Sequence, residues 1–207
     1  VAFDDPFGSD TVETRTAIMR ATYEALTEHG YENLTIQRIG DEFPKSKSLI
    51  YRHYGGKDEV LVALLEFLLA HFETQMPEVN ERDAHDCLLT VLDYVLDPEP
   101  NAERAELTNV MVELRGQAPH NETFEEYFTA NDRRFRADLV DIVEEGIETG
   151  VYHPVDADAV ADFLLTAMSG GTVRRATAAS AVDIAAVRSE VDAYLQARLL
   201  GDGDRRS

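Results

Sequence analysis

Apolar residues recur three and four positions apart along almost the whole chain, the spacing of helices with one buried face. Ile18, Ala21, Thr22, Ala25 and Leu26 share a face of a helix predicted over 11–28 and closed by Gly30. A short helix over 36–42 follows, with Thr35 as its N-cap, and another over 46–54 ends at Gly55-Gly56. From Lys57 a long helix carries Val60, Leu61, Leu64, Leu65, Leu68, Leu69 and Phe72, a face wide enough to be buried on more than one side. Pro77 stops it. Further helices are predicted over 82–96, 102–115 and 122–148, the last with Phe124, Tyr127, Phe128, Phe135, Leu139, Ile142 and Val143 on its stripe. The final two run over 156–178, capped by Asp156, and over 182–200, where Val187, Val191, Tyr194, Leu195 and Leu199 align. No strand-type alternation and no internal repeat interrupts this series, so the expected fold is all-α with nine helices.

The two short helices, joined by a tight turn and preceded by a longer helix, make a helix-turn-helix candidate. The expected organisation is a domain over 10–56, a larger helical domain over 57–200, a loose arm at 1–9 and a loose tail at 201–207. Ser46, Lys47, Ser48 and Leu49 head the second short helix, while Ile50 and Tyr54 are placed to anchor it to a core. Free N–H groups at such a helix start favour a phosphate.

Charge at first argues against that reading. The 207 residues carry 40 acids and 19 bases, a formal net charge of −21, and DNA repels an anionic surface. The distribution reverses the argument locally. The three lysines of the chain, Lys45, Lys47 and Lys57, lie in one stretch. From Thr35 to Lys57 five bases face two acids, a local +3, which leaves −24 on the rest of the chain. An acid-rich body almost without lysine resembles proteins of salt-loving organisms that hold molar potassium chloride. At ~1 M salt the Debye length is ~3 Å, so the acidic body exerts little long-range repulsion and a basic patch acts at contact range.

Composition narrows the rest. Hydrophobic residues make up 44% of the chain, enough for a core and too many for disorder. No apolar run approaches the ~18–20 residues of a membrane span. The opening VAFDDPFGSD is acidic where a signal peptide is basic, and the single cysteine, Cys87, cannot form an intrachain disulfide. These features lead us to expect a soluble cytoplasmic protein with no membrane partner. The six histidines, at 29, 53, 71, 85, 120 and 153, form no pair at metal-ligand spacing. HExxH, GxSxG, P-loop and GxGxxG patterns are absent from the sequence. No catalytic residue, metal or cofactor is therefore expected, and the chain does not read as an enzyme.

The stretch GYENLTIQRIGDEFPKSKSLIYRHYGGKDEVL, residues 30–61, resembles the DNA-binding domain of the TetR family of transcriptional regulators. The likeness covers about residues 12–65, and Glu145-Gly-Ile-Glu-Thr-Gly150 is a weaker, familiar turn further on. The resemblance implies a TetR-like nine-helix architecture and a homodimer that binds a palindromic operator in double-stranded DNA. It also implies a small-molecule effector held in the larger domain, most simply for a repressor; the alternative is an effector-independent constitutive or architectural protein with a filled core. Carried over to this chain, it gives Thr35 a cap and a phosphate contact. Lys47, Ser48 and Leu49 are assigned to base edges with Arg52 or His53 alongside, Lys45 and Ser46 to the start of the reading head, and Tyr51 and Lys57 to backbone phosphates.

One departure stands out. Phe43-Pro44-Lys45 occupies the turn where the family has a small residue, glycine and a buried aliphatic. Proline cannot supply a positive φ, so either the turn is rearranged or Lys45 points outward. For the effector, Cys87, Met111, Phe124, Tyr127, Phe128, Phe163 and Met168 are candidates to line an apolar pocket, with Arg115 and His120 placed to meet an acidic head group. Ordinary core fits the same spacing. Ser169-Gly170-Gly171 permits close backbone approach, and with the last helix it points to a dimer formed by the last two helices.

Overall fold

The computed structural model of the chain describes residues 14–74 and 83–200. Among these residues the elements are α1 (Thr14–Asn33), α2 (Ile36–Glu42), α3 (Ser48–His53), α4 (Lys57–Thr74), α5 (Ala84–Val95), α6 (Ala102–Arg115), α7 (Glu122–Glu148), α8 (Ala157–Ala178) and α9 (Ile184–Leu195). Short 3-10 turns at Ala118–His120 and Ala179–Ala181 and a π-type turn at Gln196–Leu200 complete the series. The fold is all-α, as expected. The arm at 1–9, the Pro77 stop and the tail at 201–207 lie outside the described residues.

Helix ends follow local chemistry. Thr35 accepts the Arg38 N–H at 3.2 Å and caps α2. Asp156 accepts the Ala159 N–H and Asp183 the Ala186 N–H, each at 3.0 Å, at the starts of α8 and α9. α1 passes through a break at Gly30, whose φ of 71° and ψ of 165° belong to a region open essentially to glycine alone. α3 is shorter than the predicted 46–54: Lys47 is its N-cap, Tyr54 its C-cap, and a tighter turn leads into it, in which the Leu49 N–H donates to the Ser46 carbonyl at 2.9 Å. The last helix gives way at Gln196 to the π-type turn, whose Leu199 carbonyl receives the His153 N–H at 2.8 Å.

Packing groups the helices into two compact units, and the division does not fall at 56/57. The first holds α1–α4, α6 and the start of α7 to Thr129. Its core joins Ile18, Met19 and Leu26 of α1 to Leu61, Leu64 and Leu65 of α4, and to Val110 and Leu114 of α6. The wide face of α4 explains the grouping: it buries against α1–α3 as fully as any helix of that bundle. A fully buried leucine or phenylalanine contributes about 1.5–3 kcal/mol by removal from water.

The second unit holds α5, the rest of α7, α8 and α9. Tyr152, buried at the α7–α8 connection, packs its ring directly against Gly146 of α7. Its N–H donates to the Gly146 carbonyl at 2.8 Å, and its hydroxyl lies 3.2 Å from His85 Nδ1 of α5. Burial pushes the Tyr152 hydroxyl pKa upward, so it stays protonated. Arg136 of α7 forks onto Asp162 of α8 at 2.5 and 3.1 Å, which holds that carboxyl below its ordinary range. Arg175 of α8 donates to the Asp97 and Val95 carbonyls, satisfying the end of α5.

Candidate nucleic-acid interface

The helix-turn-helix is assembled from α2 and α3 against the first unit's core. Ile50 is fully buried, and Leu49 and Tyr54 pack partly buried against the same core, so the inner side of α3 is fixed. The other side is free: Ser46, Ser48, Tyr51, Arg52 and His53 are exposed, Tyr51 at 62%. A six-residue helix anchored at two of its positions and at its C-cap therefore presents a hydroxyl, an aromatic and two nitrogen-bearing side chains outward. Leu49 is half inward, less available to a base edge than Ser48.

The turn resolves through Phe43. Its side chain is buried and its backbone is extended (φ −81°, ψ 121°). Phe43 thus supplies the apolar plug for the turn, and Lys45 is released to the surface, where its ammonium donates to Thr14 Oγ1 at 3.2 Å. Pro44 is exposed beside it. The turn is kept with its apolar residue moved two positions earlier.

Lys47 is less free than its sequence suggests. Its ammonium sits 2.5 Å from Asp41 Oδ1 and 3.4 Å from the Gln37 carbonyl, so the lysine folds back over α2. Gly40 makes room for it: a Cβ there would stand 2.6 Å from both Cγ and Cδ of Lys47. Lys57, at the start of α4, donates to the Tyr31 carbonyl, and its ammonium stands 4.3 Å from the centre of the Tyr31 ring. The Glu59 carboxylate accepts the Gly55 N–H at 2.7 Å and fixes the Gly55-Gly56 loop that delivers Lys57. Asp41, Gly40 and Tyr31 escaped sequence reasoning; a base six positions after an acid across a turn was the one available signal.

The effector candidates do not share one unit. Met111, Phe124, Tyr127 and Phe128 pack in the first unit's core, with the Arg115 guanidinium 4.5 Å from the Phe128 ring centre. His120 is exposed in its 3-10 turn. Cys87 and Met168 are buried in the second unit. Phe163 does not face inward: it is 44% exposed and stacks on Tyr194 of α9 with ring centres 4.2 Å apart. The glycine pair also divides, since a Cβ on Gly171 would meet Leu96 of α5 at 2.9 Å, whereas Gly170 opens to clear space. No cluster of metal-binding side chains occurs among the described residues, and none of their helices is long and apolar enough to cross a membrane.

An exposed basic reading helix on a small helical core defines a helix-turn-helix DNA-binding protein. Residues 18–64 match the model for bacterial regulatory proteins of the tetR family, and residues 84–200 match the BetI-type transcriptional repressor C-terminal model. The chain belongs to the TetR family and is a DNA-binding transcriptional regulator, not an enzyme. The crystal structure of a TetR transcription regulator from Haloarcula marismortui is 36% identical, with a TM-score of 0.82 over 90% of this chain and 98% of that one. The repressor AcnR of Corynebacterium glutamicum is 25% identical over 92% of this chain and 97% of its own length. The repressor SCO4008 of Streptomyces coelicolor is 29% identical over 79% of this chain and 80% of its own length.

Proposed function

We propose that this regulator is a ligand-responsive repressor that binds a palindromic operator as a homodimer formed through α8 and α9, in a cytoplasm of high salt. One observation carries the reading. The large apolar side chains exposed among the described residues are Tyr51 on α3 and Phe163 and Val173 on α8. Phe163, Gly170 and Val173 fall on one face of α8 by helical spacing, and Tyr194 extends that face onto α9. Exposed apolar surface on an otherwise acidic molecule marks an interaction site. A two-fold dimer sets its reading heads about 34–36 Å apart, one turn of DNA. An effector with an anionic group fits Arg115 beside Phe128, Met111 and Tyr127 in the first unit. An effector that stabilises one spacing of the heads over the other releases or restores binding.

Within the reading head, Tyr51 and Lys57 grip phosphates, Thr35, Lys45 and Ser46 support the approach, and Ser48, Arg52 and His53 face the bases, joined by Lys47 once its ammonium leaves Asp41, with Leu49 in a lesser part. Anisotropy of labelled duplexes over a potassium chloride series tests these roles. Lys57→Ala is expected to lower the salt slope by about one and to weaken all sequences alike. Lys47→Ala is expected to reduce preference among sequences. An unchanged slope in the first, or unchanged preference in the second, overturns the assignment.

Asp41 adds a separate expectation. Asp41→Asn removes the charge that folds Lys47 back, and an exposed pair of this kind contributes less than about 1 kcal/mol to stability. Melting should therefore barely move, while affinity for random-sequence DNA at low salt should rise by roughly threefold or more as the acid leaves the patch. Weaker binding instead would show that Asp41 orients Lys47 toward DNA.

A further inference from the structure

We propose that Glu113 of α6 and Tyr31 form a positioning relay that sets Lys57, so that α6 is coupled directly to a phosphate contact. The inference rests on the reading of Lys57 as that contact and adds the residues that control it.

The relay begins at the break in α1. Because Gly30 leaves the helical path, the Tyr31 N–H is removed from the α1 hydrogen-bond ladder and turned aside. Glu113, in the last turn of α6, accepts that N–H at 2.7 Å. A Cβ on Gly30 would make ordinary contact, at 3.4 Å, with the same carboxylate oxygen, so it is the positive φ rather than space that calls for glycine there. The residue so gripped on its N–H holds Lys57 by its carbonyl and by its ring. An ammonium has three donors, and one directed at the Tyr31 carbonyl leaves two for a phosphate oxygen. Tyr31 thus receives α6 on one side and delivers a partly desolvated cation on the other. A second tie binds the same two helices: burial and then the nearby Glu106 carboxylate of α6 push the pKa of the Tyr23 hydroxyl of α1 upward, so this phenol keeps its proton beside that acid. Glu106 and Glu113 are seven positions apart, on one face of α6. Motion of α6 along α1 therefore draws on both ties, and the one at Glu113 ends on Lys57.

The cycle Glu113→Ala, Lys57→Ala and their double variant tests the relay, with Glu113→Gln as the conservative control. Each is measured as the full-length protein by anisotropy against random-sequence duplex over a potassium chloride series, with the folded fraction fixed by melting. Glu113→Ala is expected to lower the salt slope by most of the unit that Lys57→Ala removes. The double variant should match Lys57→Ala alone, and Glu113→Gln, which keeps an acceptor for the Tyr31 N–H, should keep most of the slope. An unchanged slope in Glu113→Ala, or losses that simply add in the double variant, overturns the relay while leaving Lys57 in place. An unchanged slope in Lys57→Ala overturns the phosphate contact and the relay with it.

Discussion

Gly170→Arg is expected to leave the helices intact and yet lower operator affinity by about 100-fold or more. The position sits inside α8 with no atom near a Cβ, so the protomer accepts the side chain and gains helix propensity over glycine. A symmetric partner does not accept it. Across a two-fold axis the same patch meets itself, so two arginines would crowd and repel where Phe163 and Val173 should be covered. Loss of the dimer turns one bivalent encounter into two independent ones, and joined sites gain roughly 10²–10⁴ in avidity. Sedimentation equilibrium should report a monomer with unchanged circular dichroism, and anisotropy should report the loss on a two-half-site duplex. A Gly170→Arg protein that remains dimeric with full affinity would remove α8 from the interface.

The largest loss of stability is expected from Gly146→Ala. The added Cβ would lie 2.1 Å from Tyr152 Cδ2 and 2.4 Å from Cε2, far inside contact distance. The ring has nowhere simple to go: Tyr152 is buried, bonded through its N–H to Gly146 itself and through its hydroxyl to His85. Expelling it resembles deleting a buried aromatic, about 3–5 kcal/mol, against which alanine's helix propensity returns less than about 1 kcal/mol. For a chain of this size each kcal/mol moves Tm by roughly 2–4 °C, so a fall of about 6 °C or more is expected by calorimetry. A change of less than a degree or two would mean that Tyr152 does not rest on Gly146 in solution.

These two glycines mark the boundary of what was legible in advance. The helix series was legible because caps and breaks act locally: Thr35, Asp156 and Gly30 each do in the structure what their neighbours in sequence imply. The inward and outward sides of α3 were legible for the same reason, with Ile50 and Tyr54 inward and the basic residues outward. What depended on chain path was not. A 3.6-residue stripe says that Phe163 is on a face but not whether that face meets a core or solvent. Nothing local separates Gly170 from Gly171, although one is open and the other lies against Leu96. Glu113 is 82 positions from Tyr31, and only the packing of α6 on α1 brings them together. The turn at Phe43-Pro44-Lys45 is intermediate: the departure was visible, but its outcome depended on whether the core had room for Phe43.

The central claim is that this acidic chain reads DNA sequence as a two-fold dimer. Selection of bound duplexes from a random pool, at low and at molar potassium chloride, tests it most directly. A palindrome with half-sites about one turn apart, enriched at both salts, is the expected result. Enrichment of a lone half-site, or of no sequence at either salt by folded protein, would contradict it.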